Sequence, residues 1–221
     1  QDAGQAEVYW RKALEGFIAP TPLPAAAEAP AAKRAALADT HHFALTRQTT
    51  AALRSLGRAK GLTLNTVVQG AWALLLARYS GETDVVFGAT VSGRPAALAG
   101  AESMVGLFIN TLPVRVRVDP GEPLLSALDR LQREQVDARE YEYASLVDVH
   151  AWSEVPRGQA LFDTLLLYES YPLIAPGGDH PSSLAMTASG CVDATHYALT
   201  LSVMPGDPMG LRLMYDTVRY G

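Results

Sequence analysis

The fold is decided by residues 63–91, which read TLNTVVQGAWALLLARYSGETDVVFGATV. The first part predicts a helix, because apolar residues recur at steps of three and four; these are Leu64, Val67, Val68, Ala71, Trp72, Leu75 and Tyr79. Thr63 is placed to cap the start of this helix, and Gly81 is placed to end it. Residues 85–91 are almost continuously apolar, which is typical of a strand buried on both faces.

Elements of both kinds also precede this stretch. Residues 6–16 predict a short helix, and residues 41–45 a short strand. Between them, residues 18–37 predict an extended connector that crosses a surface, because prolines block helix and ladder hydrogen bonds there; they are Pro20, Pro22, Pro24 and Pro30. Thr46 is a plausible N-cap for a helix that runs to about Lys60 and ends at Gly61.

The sequence after residue 106 also predicts both strands and a helix. Residues 107–118 predict a strand, and the later valines alternate with Arg115 and Arg117, which indicates one wet face. After a turn at residues 120–123, a helix is predicted with one face lined by Leu124, Leu128, Leu131 and Gln135. Further strands are predicted at 162–168, 185–189, 197–204 and 211–215, with a tight turn at 205–208. The sum is an α/β, or layered α+β, fold with helices packed on a mixed sheet.

Composition excludes several classes of protein. Hydrophobic residues make up 48% and charged residues 19% of the 221 residues, which is typical of a globular domain. The formal net charge is −5 without any run of Lys and Arg, so nucleic acid is not an expected partner. Cys191 is the single cysteine, so no internal disulfide can form. No signal peptide or membrane span is visible, and the expected location is cytoplasmic.

Two short segments could carry chemistry. Ser92, Gly93 and Arg94 end the buried strand, where Gly allows close backbone approach and Arg offers a planar fork; a plain strand-ending turn is the alternative. Asn110 and Thr111 are polar residues inside an apolar run, so their side chains either bond to backbone or face a cavity. No histidine, cysteine or acidic cluster has metal-ligand spacing, and no phosphate-binding or hydrolase motif is present.

His41 and His42 are adjacent, which suggests a catalytic base beside a structural histidine. Neighbours in a strand point to opposite faces, however, so the two side chains cannot share one site. One exposed and one packed histidine is the expected arrangement.

The order of motifs resembles the condensation domains of nonribosomal peptide synthetases. Residues 104–115, MVGLFINTLPVR, are similar to a family motif in which Gly-x-Phe-x-Asn-Thr leads into a strand ending near an Arg. Residues 84–94, DVVFGATVSGR, are similar to the strand and Ser-Gly-Arg turn that precede it. Residues 161–172, LFDTLLLYESYP, look like a late family motif, and the opening Tyr9-Trp10 helix and the closing strand at 215–217 also fit.

The resemblance implies a chloramphenicol-acetyltransferase-like fold, with two lobes around a tunnel that substrates enter from opposite faces. The implied reaction is aminolysis of a thioester, with both substrates held on the 4'-phosphopantetheine arms of peptidyl carrier proteins. In that comparison Ser92, Gly93 and Arg94 belong to the loop that floors the tunnel, and Asn110 and Thr111 lie near its lining. An adenylation domain is a further implied neighbour.

The family's catalytic His-His-x-x-x-Asp-Gly motif belongs to the first lobe and is not found in this sequence. His41 and His42 are followed by Thr46 and Arg47 where that motif has Asp and Gly, and the pair stands in the wrong order relative to the other motifs. Residues 1–221 are therefore interpreted as the C-terminal lobe, with no catalytic residue, and as part of a longer protein. Residues 141–146, YEYASL, depart from the His-Gln-Asp form of many relatives.

Two alternatives stay open. The chain could be an inactive remnant lobe that serves as a scaffold between synthetase domains. It could instead be the lobe of an acyltransferase that uses coenzyme A in place of carrier proteins, since any pantetheine arm could use the same tunnel.

Overall fold

The computed structural model describes residues 2–24, 38–93, 100, 103–169 and 195–220. In these ranges, helices and strands alternate along the chain: α1 Ala3–Ala13, β1 Ala38–Ala44, α2 Arg47–Lys60, α3 Leu64–Ser80, β2 Asp84–Val91, β3 Asn110–Arg117, α4 Leu124–Arg139, α5 Leu146–Trp152, β4 Thr164–Tyr168, β5 Leu199–Met204, β6 Gly210–Asp216 and α6 Thr217–Tyr220. The strands form one six-stranded sheet in the order β1-β6-β5-β4-β2-β3. Because β4 runs parallel to β2 and β5 while the other pairs are antiparallel, the predicted mixed sheet is confirmed.

Helices cover both faces of the sheet's centre. Successive residues of β2 point to opposite faces, and Val85 and Phe87 pack in one core cluster while Val86 packs in another. The first cluster includes Trp72 from α3 and Leu131 from α4, and the second includes α1 and α5 side chains. The predicted burial of β2 on both faces is therefore confirmed. Separately, none of the helices in the described ranges combines the length and the hydropathy of a membrane-spanning segment.

The predicted helix boundaries in the centre of the chain are confirmed. The side chain of Thr46 accepts a hydrogen bond from the Thr49 amide, and that of Thr63 accepts one from the Thr66 amide. Gly61 and Gly81 end α2 and α3 in the left-handed conformation. These local signals suffice because each cap satisfies backbone groups that the helix itself leaves without partners.

The predicted apolar face of α3 is only partly correct. Val67 and Trp72 are buried, but Ala71, Leu75 and Tyr79 are exposed. The face that packs instead is formed by Thr66, Gln69, Gly70, Ala73 and Leu76. It can be buried because α4 supplies partners for its polar members: the Gln135 Nε2 group donates to Gln69 Oε1 at 2.9 Å, and the Thr66 hydroxyl donates to Gln132 Oε1 at 3.2 Å.

The connector prediction holds for its described part. Residues 18–24 form neither helix nor strand, and residues 25–37 lie outside the described residues. The buried Thr21 hydroxyl accepts from the Val86 amide at 2.8 Å and donates to the Val86 carbonyl oxygen at 3.2 Å. Since β4 pairs with β2 only at Gly88 and Ala89, this side chain takes the place of a neighbouring strand for Val86.

Several strand predictions need correction. The strand predicted at 107–118 begins only at Asn110, the one predicted at 162–168 begins at Thr164, and residues 215–217 lead into α6. The segment 185–189 lies outside the described residues. The turn at 205–208 does join two antiparallel strands, β5 and β6, as predicted.

The prediction of a wet face on β3 is wrong for Arg115. Its side chain is 10% exposed and forms an ion pair with Asp84, in which Nη2 lies 2.7 Å from Oδ2. The Arg115 Nη1 group also donates to the carbonyl oxygens of Ala13 and Glu15, at 3.1 and 2.8 Å. The C-terminal end of α1 therefore covers this position, while Arg117 remains 65% exposed.

Candidate functional site

The two polar segments singled out in the sequence lie side by side in the fold. Ser92 and Gly93 follow the last residue of β2, and Asn110 and Thr111 open β3. The strands are antiparallel, with Val91 opposite Asn110 and Thr90 opposite Thr111, so both segments meet at one end of the sheet. Arg94 lies outside the described residues.

Gly93 joins the two segments through a close backbone contact. Its φ is 61°, in the left-handed region, and a Cβ atom at this position would collide with the carbonyl oxygen of Phe108. Glycine is therefore required both by the backbone conformation and by the space available. Gly93 and the segment before β3 therefore lie against each other at this point.

Asn110 anchors the start of β3 to the connection between α4 and α5. Its Nδ2 group donates to the carbonyl oxygens of Glu142 and Ala144, at 2.8 and 2.7 Å. Its Oδ1 atom accepts from the Thr111 amide at 2.8 Å. The sequence left two roles open for the Asn110 side chain, bonding to backbone or facing a cavity, and in the structure it bonds to backbone. Two of its three partner residues are distant in sequence. The amide side chain is thus a positioning group.

A small cavity lies beside this junction, between α3, α4 and the ends of β2 and β3. Its volume is about 80 Å³, and residues from all four elements line it: Asn65, Gln69, Ala89, Thr90, Val91, Leu112, Pro113, Val114, Gln135, Ala138, Arg139 and Glu142. Thr90 and Val91 directly precede Ser92, so the cavity is next to the predicted site residues. Thr111 is half-buried opposite Thr90 but does not line the cavity.

Glu142 is a cavity residue that the sequence did not single out. It is 9% exposed, and burial raises the pKa of its carboxyl above the ordinary value while Arg139 partly opposes this shift. Within the described part of the chain, its carboxylate accepts no hydrogen bond and forms no ion pair. The only sequence signal was that residues 141–146 depart from the form of many relatives, and this signal does not reveal burial.

We expect Glu142→Gln to stabilise the chain at neutral pH by at most about 0.5 kcal/mol, because burial disfavours the ionised carboxyl in the folded state while solvent at its oxygens reduces the effect. The raised folded pKa means that the wild-type protein loses stability as pH rises from the unfolded value, about 4.5, through the folded one. The gain from the substitution should therefore be present at pH 7 and shrink below about pH 4.5. Urea unfolding of both proteins at the two pH values would measure it; a loss of stability at pH 7 would contradict the interpretation.

An exposed apolar segment leads into the same junction. Val105 and Leu107 are almost fully exposed, and Ile109 is half-exposed, although Phe108 within this segment lies against Gly93, and Asn110, directly after it, is hydrogen-bonded to Glu142. Monomeric proteins rarely leave adjoining large apolar side chains uncovered without a binding role.

The histidines give no catalytic cluster. His41 and His42 are both exposed on β1, so the expectation that one would be packed is wrong; β1 pairs only with β6, at the edge of the sheet. His150 contacts the Gln159 carbonyl oxygen at 2.9 Å through Nε2. Among the described residues no three His, Cys, Asp or Glu side chains are grouped to hold a metal ion. His180 and Cys191 lie outside those residues.

Solved structures share this fold. The X-domain from teicoplanin biosynthesis superposes with a TM-score of 0.78 at 24% identity, and the match covers 99% of this chain and 50% of that one. The starter condensation domain of rhizomide synthetase RzmA gives a TM-score of 0.73 at 23% identity, covering 99% of this chain and 48% of that one. These likenesses confirm the predicted chloramphenicol-acetyltransferase-like layering of helices on a mixed sheet.

Curated relatives are similar over the same span. A linear gramicidin synthase protein of Brevibacillus parabrevis is 46% identical over 220 residues, which are 100% of this chain and 4% of that protein. Chondramide synthase cmdD of Chondromyces crocatus is 45% identical over 219 residues, 99% of this chain and 6% of that protein. The chain thus spans a small fraction of the length of these relatives. A family model described as Condensation domain matches residues 1–221, and the chain belongs to the condensation-domain family.

Proposed function

We propose that this chain is the C-terminal lobe of a nonribosomal peptide synthetase condensation domain, which forms an amide bond between two carrier-bound substrates. Family membership supports the assignment, and so do the names of its relatives, which are peptide synthases. The extent of the structural matches supports the single-lobe interpretation, since the chain covers 50% of the X-domain and 48% of the starter condensation domain.

The observation that carries the proposal is the exposed apolar segment at the end of β2 and β3. Val105, Leu107 and Ile109 lie exposed beside the junction at which Gly93 contacts the Phe108 backbone. We infer that the N-terminal lobe covers these side chains and that the tunnel runs between the two surfaces. Burying three such side chains would favour association by several kcal/mol before the cost of association is subtracted.

In this arrangement the chain supplies walls and positioning rather than a catalytic base. Ser92, Gly93 and Arg94 form part of the tunnel floor, and Asn110 and Thr111 lie in the adjoining wall. Asn110 holds the α4–α5 connection in place through the carbonyl oxygens of Glu142 and Ala144. The catalytic histidine is proposed to come from the N-terminal lobe.

The proposed reaction is aminolysis. The acceptor's amine nitrogen attacks the donor's thioester carbonyl, the C–N bond forms, the C–S bond breaks, and the pantetheine thiol leaves with a proton. Holding both tethered reactants in line could contribute on the order of several kcal/mol to the lowering of the barrier. The partners are two peptidyl carrier proteins, an adjacent adenylation domain and the N-terminal lobe, and the proposed location is the cytoplasm.

The test is reconstitution from separate chains. Mixing this chain with an N-terminal lobe that carries His-His-x-x-x-Asp-Gly and with two loaded carrier proteins should give a peptide, detected by mass spectrometry. Neither lobe alone should give product. A folded, associated pair that gives no peptide would contradict the proposal and favour a scaffold role. Equal turnover with coenzyme A thioesters in place of loaded carriers would instead indicate a coenzyme A-dependent acyltransferase.

A further inference from the structure

Two stretches that stand out in the sequence, and that the proposed tunnel does not use, contact each other in the structure. Tyr9 and Trp10 lie on α1, and residues 140–145 form the α4–α5 connection. Trp10 is 2% exposed and belongs to the same core cluster as Ala144. The Trp10 Nε1 group donates to the Tyr141 carbonyl oxygen at 3.5 Å, and the Tyr9 ring stacks on the Tyr141 ring with centroids 4.5 Å apart. Helix α1 is therefore packed directly on this connection.

A second contact joins the α4–α5 connection to the start of α1. The Tyr143 hydroxyl donates to the carbonyl oxygen of Asp2 at 2.8 Å, and Asp2 is the N-cap residue of α1. Tyr141 and Tyr143 thus contact α1, whereas the carbonyl oxygens of the residues that follow each of them bond to Asn110. The α4–α5 connection therefore links α1 to Asn110.

The two carbonyl oxygens determine how the Asn110 side chain is oriented. An amide nitrogen carries two hydrogens, and both are used here, because Nδ2 donates to Glu142 at 2.8 Å and to Ala144 at 2.7 Å. The Asn110 Oδ1 atom accepts from the Thr111 amide at 2.8 Å, at the start of β3. A shift of the α4–α5 connection would therefore break one of these bonds or move Asn110 together with the start of β3.

We propose that Tyr9, Trp10 and Tyr143 are positioning residues for peptide-bond formation, which hold the α4–α5 connection and through it Asn110. The inference rests on the proposed function, because that function places Asn110 in the tunnel wall. A misplacement of about 1 Å can cost two orders of magnitude in rate, so a loosened wall should slow the reaction. Because α1 acts through Asn110, its effect on the rate should disappear once the Asn110 side chain is removed.

The test is a double-mutant cycle on the reconstituted pair of lobes, measured as the single-turnover rate of peptide formation. Tyr143→Phe removes one hydroxyl group and should slow the reaction about threefold. Asn110→Ala should slow it about tenfold or more. The double variant should be no slower than Asn110→Ala alone, because residues that act as one unit are not additive. Two effects that multiply in the double variant would overturn the proposal.

Tyr215→Phe is the matched control for Tyr143→Phe. It also removes a hydroxyl that donates a hydrogen bond, in this case to Asp39 Oδ2 at 3.2 Å. Tyr215 lies on β6 and Asp39 on β1, at the edge of the sheet opposite β3. This variant should leave the rate unchanged.

A second measurement does not depend on peptide formation. In the ¹⁵N-labelled chain, the Nδ2 signals of Asn110 can be assigned by their absence in Asn110→Ala. They should shift, and exchange with water about threefold faster, in Tyr143→Phe and in Tyr9→Leu, which removes the stacked ring. They should stay unchanged in Tyr215→Phe.

Asn110 signals that are unchanged in both α1-contact variants would overturn the proposal, whatever the rates. Altered signals, together with wild-type lobes that give no peptide, would reject the proposed function and with it the role in peptide-bond formation. The link from α1 to Asn110 would stand in that case, so the two failures can be told apart.

Discussion

Replacing Arg115 with alanine is expected to lower the free energy of unfolding by about 3 kcal/mol, because it leaves a partly buried carboxylate and two carbonyl oxygens without their donor. The guanidinium is bidentate on Asp84: Nε lies 2.9 Å from Oδ1 and Nη2 lies 2.7 Å from Oδ2. Its remaining nitrogen bonds to Ala13 and Glu15, and the group lies over the Phe17 ring at 5.6 Å. One side chain thus ties α1 to β2 and β3.

Arg117 provides a matched control on the same strand. It is 65% exposed and lies 3.7 Å from the same Asp84 oxygen, so Arg117→Ala should cost less than about 1 kcal/mol. Arg115→Lys should fall between the two, because lysine keeps the charge but cannot form the fork. Urea denaturation of the three variants measures the order. Equal losses at positions 115 and 117 would show that charge alone, rather than the planar geometry, stabilises this corner.

The sequence predicted best what short-range signals determine. Thr46 and Thr63 cap helices where expected, and Gly61 and Gly81 end them, because each acts on backbone groups within one turn. The buried strand β2 was also predicted, since a continuous apolar run needs cover on both faces. The family motifs then led to the correct layered fold, which periodicity alone had left as a choice between classes.

The incorrect predictions concern side chains whose burial depends on an element that is distant in the sequence. Periodicity assigned Leu75 and Tyr79 to the buried face of α3, but almost every side of that helix is apolar, and the contact with α4 selects the face with Thr66 and Gln69. Alternation placed Arg115 in water, and only the approach of α1 covers it. Neither contact leaves a mark in the local sequence, because both depend on residues tens of positions away.

The candidate site also contains some features that the sequence predicted and others that only the folded chain creates. Gly93 and Asn110 were found from the sequence as members of motifs, and the structure brings them to one junction. The bonding of Asn110 to Glu142 and Ala144 could not be predicted, because it joins residues 32 and 34 positions apart. The cavity and its unpaired carboxylate could not be predicted either. They exist only because α3, α4 and two strand ends meet there.

The second large effect is expected at Gly93. Gly93→Ala should lower the free energy of unfolding by about 3 kcal/mol or detach the segment before β3 locally, since the new Cβ would collide with the Phe108 carbonyl oxygen, which no rotamer change can move. A left-handed φ of 61° adds a cost of about 1–2 kcal/mol for any residue with a side chain.

Gly61→Ala separates these two contributions. Gly61 has a φ of 67°, but a Cβ atom there meets nothing within 4 Å, so this variant should show only the conformational cost of about 1–2 kcal/mol. Urea unfolding compares the overall stability of the two variants, and amide hydrogen exchange at Phe108 and Ile109 detects local release.

An equal loss of unfolding free energy for both variants, with unchanged hydrogen exchange, would mean that the junction tolerates a side chain at position 93. A larger loss at Gly93, with faster exchange at Phe108, would identify this contact as the one that holds the end of β2 against the segment leading into β3. Peptide formation by the reconstituted pair should then fall with it, because the exposed apolar segment would no longer be presented to the N-terminal lobe in one conformation.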